Sequence, residues 1–119
     1  MANILVLDDV YDSVQMVKKI LERKGHVVFG FTDEDEAIAY VSTNPVDLAI
    51  VDIKLRKLTG VEVLEELRRL RPSVKVIMLT GYPTLETARE AVRLGALEYC
   101  VKPIEKVELE QKVESVLAL

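Results

Sequence analysis

The chain has one cysteine, one histidine, no long apolar run and no excess of basic residues. Each scarcity removes a class of protein. A single thiol, Cys100, excludes an internal disulfide and fits a reducing compartment, where it reads as inert core or sheet surface. The lone histidine, His26, follows a helix-ending glycine; it reads as a surface residue and a poor candidate for catalysis. Sixteen basic residues against twenty acidic ones leave a net charge of −4, so there is no electrostatic footprint for nucleic acid. No apolar stretch approaches the roughly 20 residues of a membrane helix. Met1-Ala2-Asn3 runs straight into a strand, so no signal peptide is expected and the cytoplasm is the expected location. There is no repeat, linker or low-complexity segment.

What is present is a globular balance, 50% apolar and 30% charged over 119 residues, enough for one domain and its core. The informative stretch is Leu48-Ala49-Ile50-Val51-Asp52. It is too short for a typical helix, rich in β-branched residues and free of polar alternation. It therefore predicts a strand buried on both faces, as in a parallel sheet covered by helices. Three further runs share its form. Ile4 to Leu7 ends on Asp8-Asp9, Val74 to Leu79 ends on Thr80, and Tyr99-Cys100-Val101 ends on Lys102. Val27 to Phe31 supplies a fifth strand.

Helical signals lie between these strands. Val10, Val14, Val17 and Leu21 form one stripe before Gly25. Thr32 to Asp35 provide caps and first-turn acids for a helix with Ile38 and Val41 facing inward. Thr59-Gly60-Val61-Glu62 reads as a capping box ahead of a helix on Val61, Leu64 and Leu67. Thr84 caps a helix carrying Ala88, Ala91 and Val92 that ends at Gly95. The last helix turns Leu109, Val113, Val116 and Leu117 to one side and a solvated acidic face to the other. Strict strand–helix alternation predicts an α/β fold with right-handed crossovers and helices on both faces of a parallel sheet.

Open α/β sheets place ligands at the carboxyl ends of their strands. If the first and third strands are neighbours, Asp8, Asp9 and Asp52 converge there. Carboxylates so close raise one another's pKa or recruit a cation, and an all-oxygen site suits Mg²⁺. One carboxylate then remains as a nucleophile. Lys102 and Thr80 would bind phosphoryl oxygens, which is sufficient apparatus for phosphoryl transfer. Each element has a plainer reading alone: a helix cap for Asp8-Asp9, a loop acid for Asp52, a turn hydroxyl for Thr80, a solvated loop lysine for Lys102 and a strand aromatic for Tyr99.

Taken together, Asp8-Asp9, Asp52, Gly60, Thr80 and Tyr99 to Pro103, each in order at a strand or helix end, make the chain resemble a response-regulator receiver domain of two-component signalling. The resemblance covers residues 1–119 as a single receiver domain. It implies a flavodoxin-like (βα)5 doubly wound sheet of strand order 2-1-3-4-5. It implies that Asp52 accepts a phosphoryl group from a histidine kinase or phosphotransfer protein. Asp9 and Asp52 would bind Mg²⁺ directly, Asp8 through water, and Lys54 through its backbone carbonyl. Lys102 would contact the phosphoryl group, with a cis bond to Pro103. Thr80 and Tyr99 would act as switch residues that rearrange the face of the fourth helix, fifth strand and fifth helix, read by an output domain, a partner or a second copy. Beyond self-phosphorylation and autodephosphorylation, no enzyme activity is implied.

The chain departs from the family pattern after Asp52, where Leu55-Arg56-Lys57 lacks the frequent proline and predicts a freer loop. Thr59 replaces a frequent aspartate. Lys54 and Tyr82 hold the two positions that tune acyl-phosphate lifetime, and their bulk predicts a long one. The stretches Thr80 to Thr84 and Arg93 to Ala96 look most like receivers of the NtrC type. Two competing readings are a Mg²⁺-dependent aspartyl-nucleophile phosphohydrolase and a receiver-like module that no longer uses phosphate. Asp52-Ile53-Lys54 lacks the second acid of the former, and the intact acid set counts against the latter.

Overall fold

Five parallel strands and five helices alternate along the chain in a computed structural model that describes residues 1–55 and 57–119. They are β1 (Asn3–Leu7), α1 (Tyr11–Glu22), β2 (Val27–Phe31), α2 (Glu34–Thr43), β3 (Leu48–Val51), α3 (Gly60–Leu70), β4 (Lys75–Thr80), α4 (Leu85–Arg93), β5 (Glu98–Val101) and α5 (Lys106–Leu117). The sheet order is β2-β1-β3-β4-β5, as the resemblance implied. Arg56, in the loop predicted to be freer, lies outside the described residues.

Strands without polar alternation must be covered on both sides, and they are. One apolar cluster joins Ile4, Val6 and Ile50 of the sheet to Val14, Val17 and Leu21 of α1 and Leu109, Val113 and Val116 of α5. The other joins Leu5, Leu7, Val51 and Met78 to Ala37 and Val41 of α2, Val63, Leu64 and Leu67 of α3, and Ala91 of α4. All four residues of β3 are buried, which explains its unbroken apolar run.

Register brings the functional end together. Leu7 is opposite Val51, and Val51 is opposite Met78. Thr80 is opposite Val101. The ladder continues one residue further: the Asp52 amide donates to Leu7 O at 3.0 Å, and the Asp8 amide to Phe31 O at 3.2 Å. Asp8, Asp52 and Lys102 thus leave the sheet at the same edge.

Several expectations need correction. Val10 is exposed and stands outside the buried stripe, because α1 begins only at Tyr11 and Val10 is its extended N-cap. Val92 is also exposed; α4 buries only Ala91 fully, so its inward stripe is one residue wide. Ile38 and Val61 are half-buried, while Ala37 and Val63 take the innermost positions. His26 is buried rather than on the surface. Its Nδ1 accepts from the Ala2 amide at 3.2 Å, and its Nε2 lies 3.4 Å from Glu114 Oε1. β4 runs one residue later than expected and includes Thr80.

The helix boundaries follow local chemistry. Asp33, Thr59 and Thr84 accept from the backbone amides three residues on, and Thr59 with Glu62 forms the reciprocal capping box. Gly25 and Gly95 end helices at φ +88° and +91°, a region L-residues avoid. Gly60 is required for a different reason. A Cβ there would lie 2.7 Å from Ile53 Cα and closer still to the Asp52 carbonyl oxygen. The first residue of α3 is therefore pressed against the backbone that carries Asp52.

Gly60→Ala is expected to lower unfolding free energy by about 1–3 kcal/mol through this overpacking, although alanine is the better helix former. Urea unfolding measures it; equal or greater stability would show that the backbone near Asp52 yields freely.

Candidate functional site

The carboxyl edge of the sheet gathers the acids. Asp8 and Asp52 are each 5% exposed and Asp9 is half-buried. One carboxylate oxygen from each lies within 4.8 Å of the others. Asp8 is held locally, its Oδ1 accepting from the Val10 amide at 2.9 Å. Asp52 Oδ1 accepts from the Lys54 amide at 3.4 Å.

Lys102 completes the arrangement. Its amide donates to Thr80 O at 2.8 Å, extending the β4–β5 ladder, and its chain leaves through a cis bond to Pro103. Its ammonium donates to Asp52 Oδ2 at 3.1 Å and to Asp8 Oδ2. Burial alone would lower the Lys102 pKa, but the two carboxylates outweigh it and hold the value above the ordinary range. For Asp8, burial raises the carboxyl pKa. The hydrogen bonds from Lys102 and the Val10 amide oppose the rise without cancelling it, and the charge of Asp52 adds to it. Burial prevails at Asp8, with the like charge of Asp52 adding to it, whereas at Lys102 the opposite charges prevail over burial.

With all groups ionised, three carboxylates and one ammonium leave two negative charges in the pocket. Such an all-oxygen set suits a hard divalent cation and offers no soft ligand for a transition metal. Asp8, Asp9 and Asp52 therefore fit Mg²⁺.

The remaining sequence-identified residues surround this centre. Thr80 is fully buried, and its Oγ1 accepts from the Tyr82 amide at 3.0 Å. Tyr99 is half-buried against the α2–α3–α4 cluster, with its hydroxyl 2.8 Å from Thr87 Oγ1 on α4. Lys54 and Tyr82, both exposed, meet: the ammonium stands 4.3 Å from the ring centroid, joining the loop after β3 to the loop after β4.

Glu34, a first-turn acid of α2 like its neighbours, is only 1% exposed. Its Oε2 accepts from the Leu58 amide at 2.8 Å and from the Lys57 amide. A signal was available: Glu34 shares the helical spacing of Ala37 and Val41, the buried face of α2. No comparable signal marked His26.

The model of the response regulator receiver domain matches residues 4–114. The chain belongs to this family. Receiver domains serve two-component signalling, and the chain is similar to several of known structure. A CheY-like receiver domain protein from Methanospirillum hungatei JF-1 superposes with a TM-score of 0.96 at 35% identity, over 99% of this chain and 94% of that one. NtrX from Brucella abortus superposes with a TM-score of 0.91 at 34% identity, over 98% of this chain and 27% of that one. Among curated relatives, the transcriptional regulatory protein ZraR of Salmonella typhimurium is 30% identical over 98% of this chain. This receiver spans 26% of that protein's length. The similarity to ZraR and NtrX agrees with the NtrC-type resemblance. Among the described residues, no helix is long and apolar enough to cross a membrane.

Asp8→Asn is expected to raise stability without Mg²⁺ by on the order of 1 kcal/mol, the usual scale of a point substitution. Because the folded chain holds the Asp8 proton more tightly than the unfolded chain, this group's contribution falls as pH rises above the ordinary carboxylate value. The gain from Asn is therefore largest near pH 7 and shrinks toward pH 4. Urea unfolding in chelator at several pH values measures it; a loss of stability at pH 7 would mean that Asp8 acts chiefly as a partner for Lys102.

Proposed function

We propose that this receiver is a phosphorylation-controlled switch whose acceptor is Asp52. The observation that carries the reading is the convergence of Asp8, Asp9 and Asp52 within 4.8 Å, with the Lys102 ammonium bonded to two of them. An Asp52 oxygen forms a bond to the phosphorus of a donor phosphohistidine while the P–N bond breaks, and the electron pair leaves with the imidazole. Asp9, Asp52 and the Lys54 carbonyl, with Asp8 through water, would hold Mg²⁺, which would supply charge neutralisation for the transferring oxygens. Lys102 exchanges a carboxylate partner for a phosphoryl oxygen, and the two carboxylates that raise its pKa keep it charged before the transfer.

The donor is a histidine kinase or phosphotransfer protein. The receiver has no catalytic turnover beyond taking up and losing its own phosphoryl group. Hydrolysis of external phosphate esters would need a second acid two residues beyond the nucleophile, where Lys54 stands. The Lys54–Tyr82 contact spans the two loops beside Asp52 and restricts water there, which favours a long-lived acyl phosphate.

The signal leaves through Thr80 and Tyr99. When Thr80 Oγ1 turns to a phosphoryl oxygen it releases the Tyr82 amide, and the β4–α4 loop moves with it. Tyr99 then gives up Thr87, loosening α4 from β5. This shifts the population between two packings of the α4–β5–α5 face. That face exposes Leu85, Val92, Leu97, Val101 and Val107, apolar surface suited to an output domain, a partner or a second copy.

Incubation with acetyl phosphate and Mg²⁺ is expected to add one phosphoryl group by intact mass, lost in Asp52→Asn and with chelator. The adduct should persist for minutes or longer after donor removal. Rapid donor hydrolysis without an adduct would favour the hydrolase; an adduct that decays in seconds would remove the role of Lys54 and Tyr82. No adduct even from a phosphorylated kinase would favour the phosphate-independent module.

Phosphorylation is further expected to increase the sedimentation coefficient through pairing of α4–β5–α5 faces. Identical sedimentation of both forms would exclude the second copy and leave a heterologous partner.

A further inference from the structure

The loop between β3 and α3 carries Lys54, whose amide touches the acceptor carboxylate, and is bound at both its base and its tip. At its base Lys54 and Thr59 form an antiparallel bridge, and the Gly60 amide donates to Ile53 O at 2.7 Å. At its tip the Lys57 and Leu58 amides both donate to a single oxygen, Glu34 Oε2. The Lys57 ammonium adds contacts to Asp33 at 2.8 Å and Asp35 at 3.0 Å. Those two contacts are solvent-exposed, and such pairs contribute little. Glu34 is different: a buried carboxylate whose loss would strand two amides. Burial alone would raise its pKa, but the Leu58 amide, its own amide and the Lys57 amide outweigh that and hold it below the ordinary range. It remains an acceptor at neutral pH.

We propose that Glu34 is a positioning residue for Asp52. Through the Lys57 and Leu58 amides it fixes the loop whose Lys54 amide orients the acceptor carboxylate, and so pre-forms the divalent-cation site. The inference rests on the phosphoacceptor reading and extends it to a residue outside the acidic cluster.

The full chain tests it. Mn²⁺ binding, followed by the EPR signal of free ion with Mg²⁺ as competitor, is compared for wild type, Glu34→Met and Glu34→Gln. Methionine fills the same space without an acceptor and is expected to weaken binding about 5–10-fold, the lower end of typical coupling between sites. Glutamine retains an acceptor oxygen and is expected to stay within about twofold of wild type. Coupling is reciprocal, so saturating Mg²⁺ should slow hydrogen exchange at the Lys57 and Leu58 amides of the wild-type protein by a similar factor. That measurement stands even if Glu34→Met does not fold. A folded Glu34→Met with unchanged affinity, or wild-type amides indifferent to Mg²⁺, would overturn the proposal and leave phosphorylation of Asp52 untouched. Wild-type protein that binds the ion but takes no phosphoryl group would overturn the acceptor reading alone. Wild-type protein that binds neither ion would overturn both.

Discussion

Like charges forced together at the end of a parallel sheet are the constraint on which the rest of this molecule depends. Neighbouring strands in register must end side by side, and two of the central ones end in aspartate. Nothing in the sheet relieves the resulting repulsion. Lys102 does so in part, reaching from β5 to Asp8 and Asp52. The site therefore carries a stored electrostatic tension, matched in sign and size to a divalent cation. Asp8 opposes stability at neutral pH, while the ion pairs of Lys102 favour it.

The surrounding loops reflect the same demand. Backbone approaches Asp52 so closely at Gly60 that no side chain fits. The loop after β3 is tied to its own base and to α2, and the loop after β4 is tied to Thr80 through the Tyr82 amide. Neither loop is an ordinary surface connection. Each links a residue at the carboxyl edge of the sheet to a helix on the α2–α3–α4 side.

Much of this was legible in the sequence. Unbroken apolar runs ending in polar groups gave the strands, their burial and the edge at which the site lies. Cap residues placed three helix starts, because capping is local and short-range. What escaped was set by tertiary packing. Val10 and Val92 fit a helical period yet face solvent, because periodicity does not say where a helix stops covering the sheet. His26 looked like a surface residue because its partners, Ala2 and Glu114, are remote in sequence. Glu34 was hidden among acids that do face water. Its phase with Ala37 and Val41 was the one clue that a carboxylate could belong to a buried face.

The opposite end of the sheet bears on how α5 can respond. There Lys75 Nζ donates to Leu117 O at 3.2 Å and Leu119 O at 2.6 Å, while Glu114 meets His26. The helix is thus moored at its final turn. Its first turn follows Lys102 and Pro103 directly and has no side-chain cap. That turn is held from within instead, by Leu109, which is fully buried in the cluster beneath α1 and α5. Any displacement of α5 that phosphorylation would cause must therefore work against polar ties at one end of the helix and apolar packing at the other.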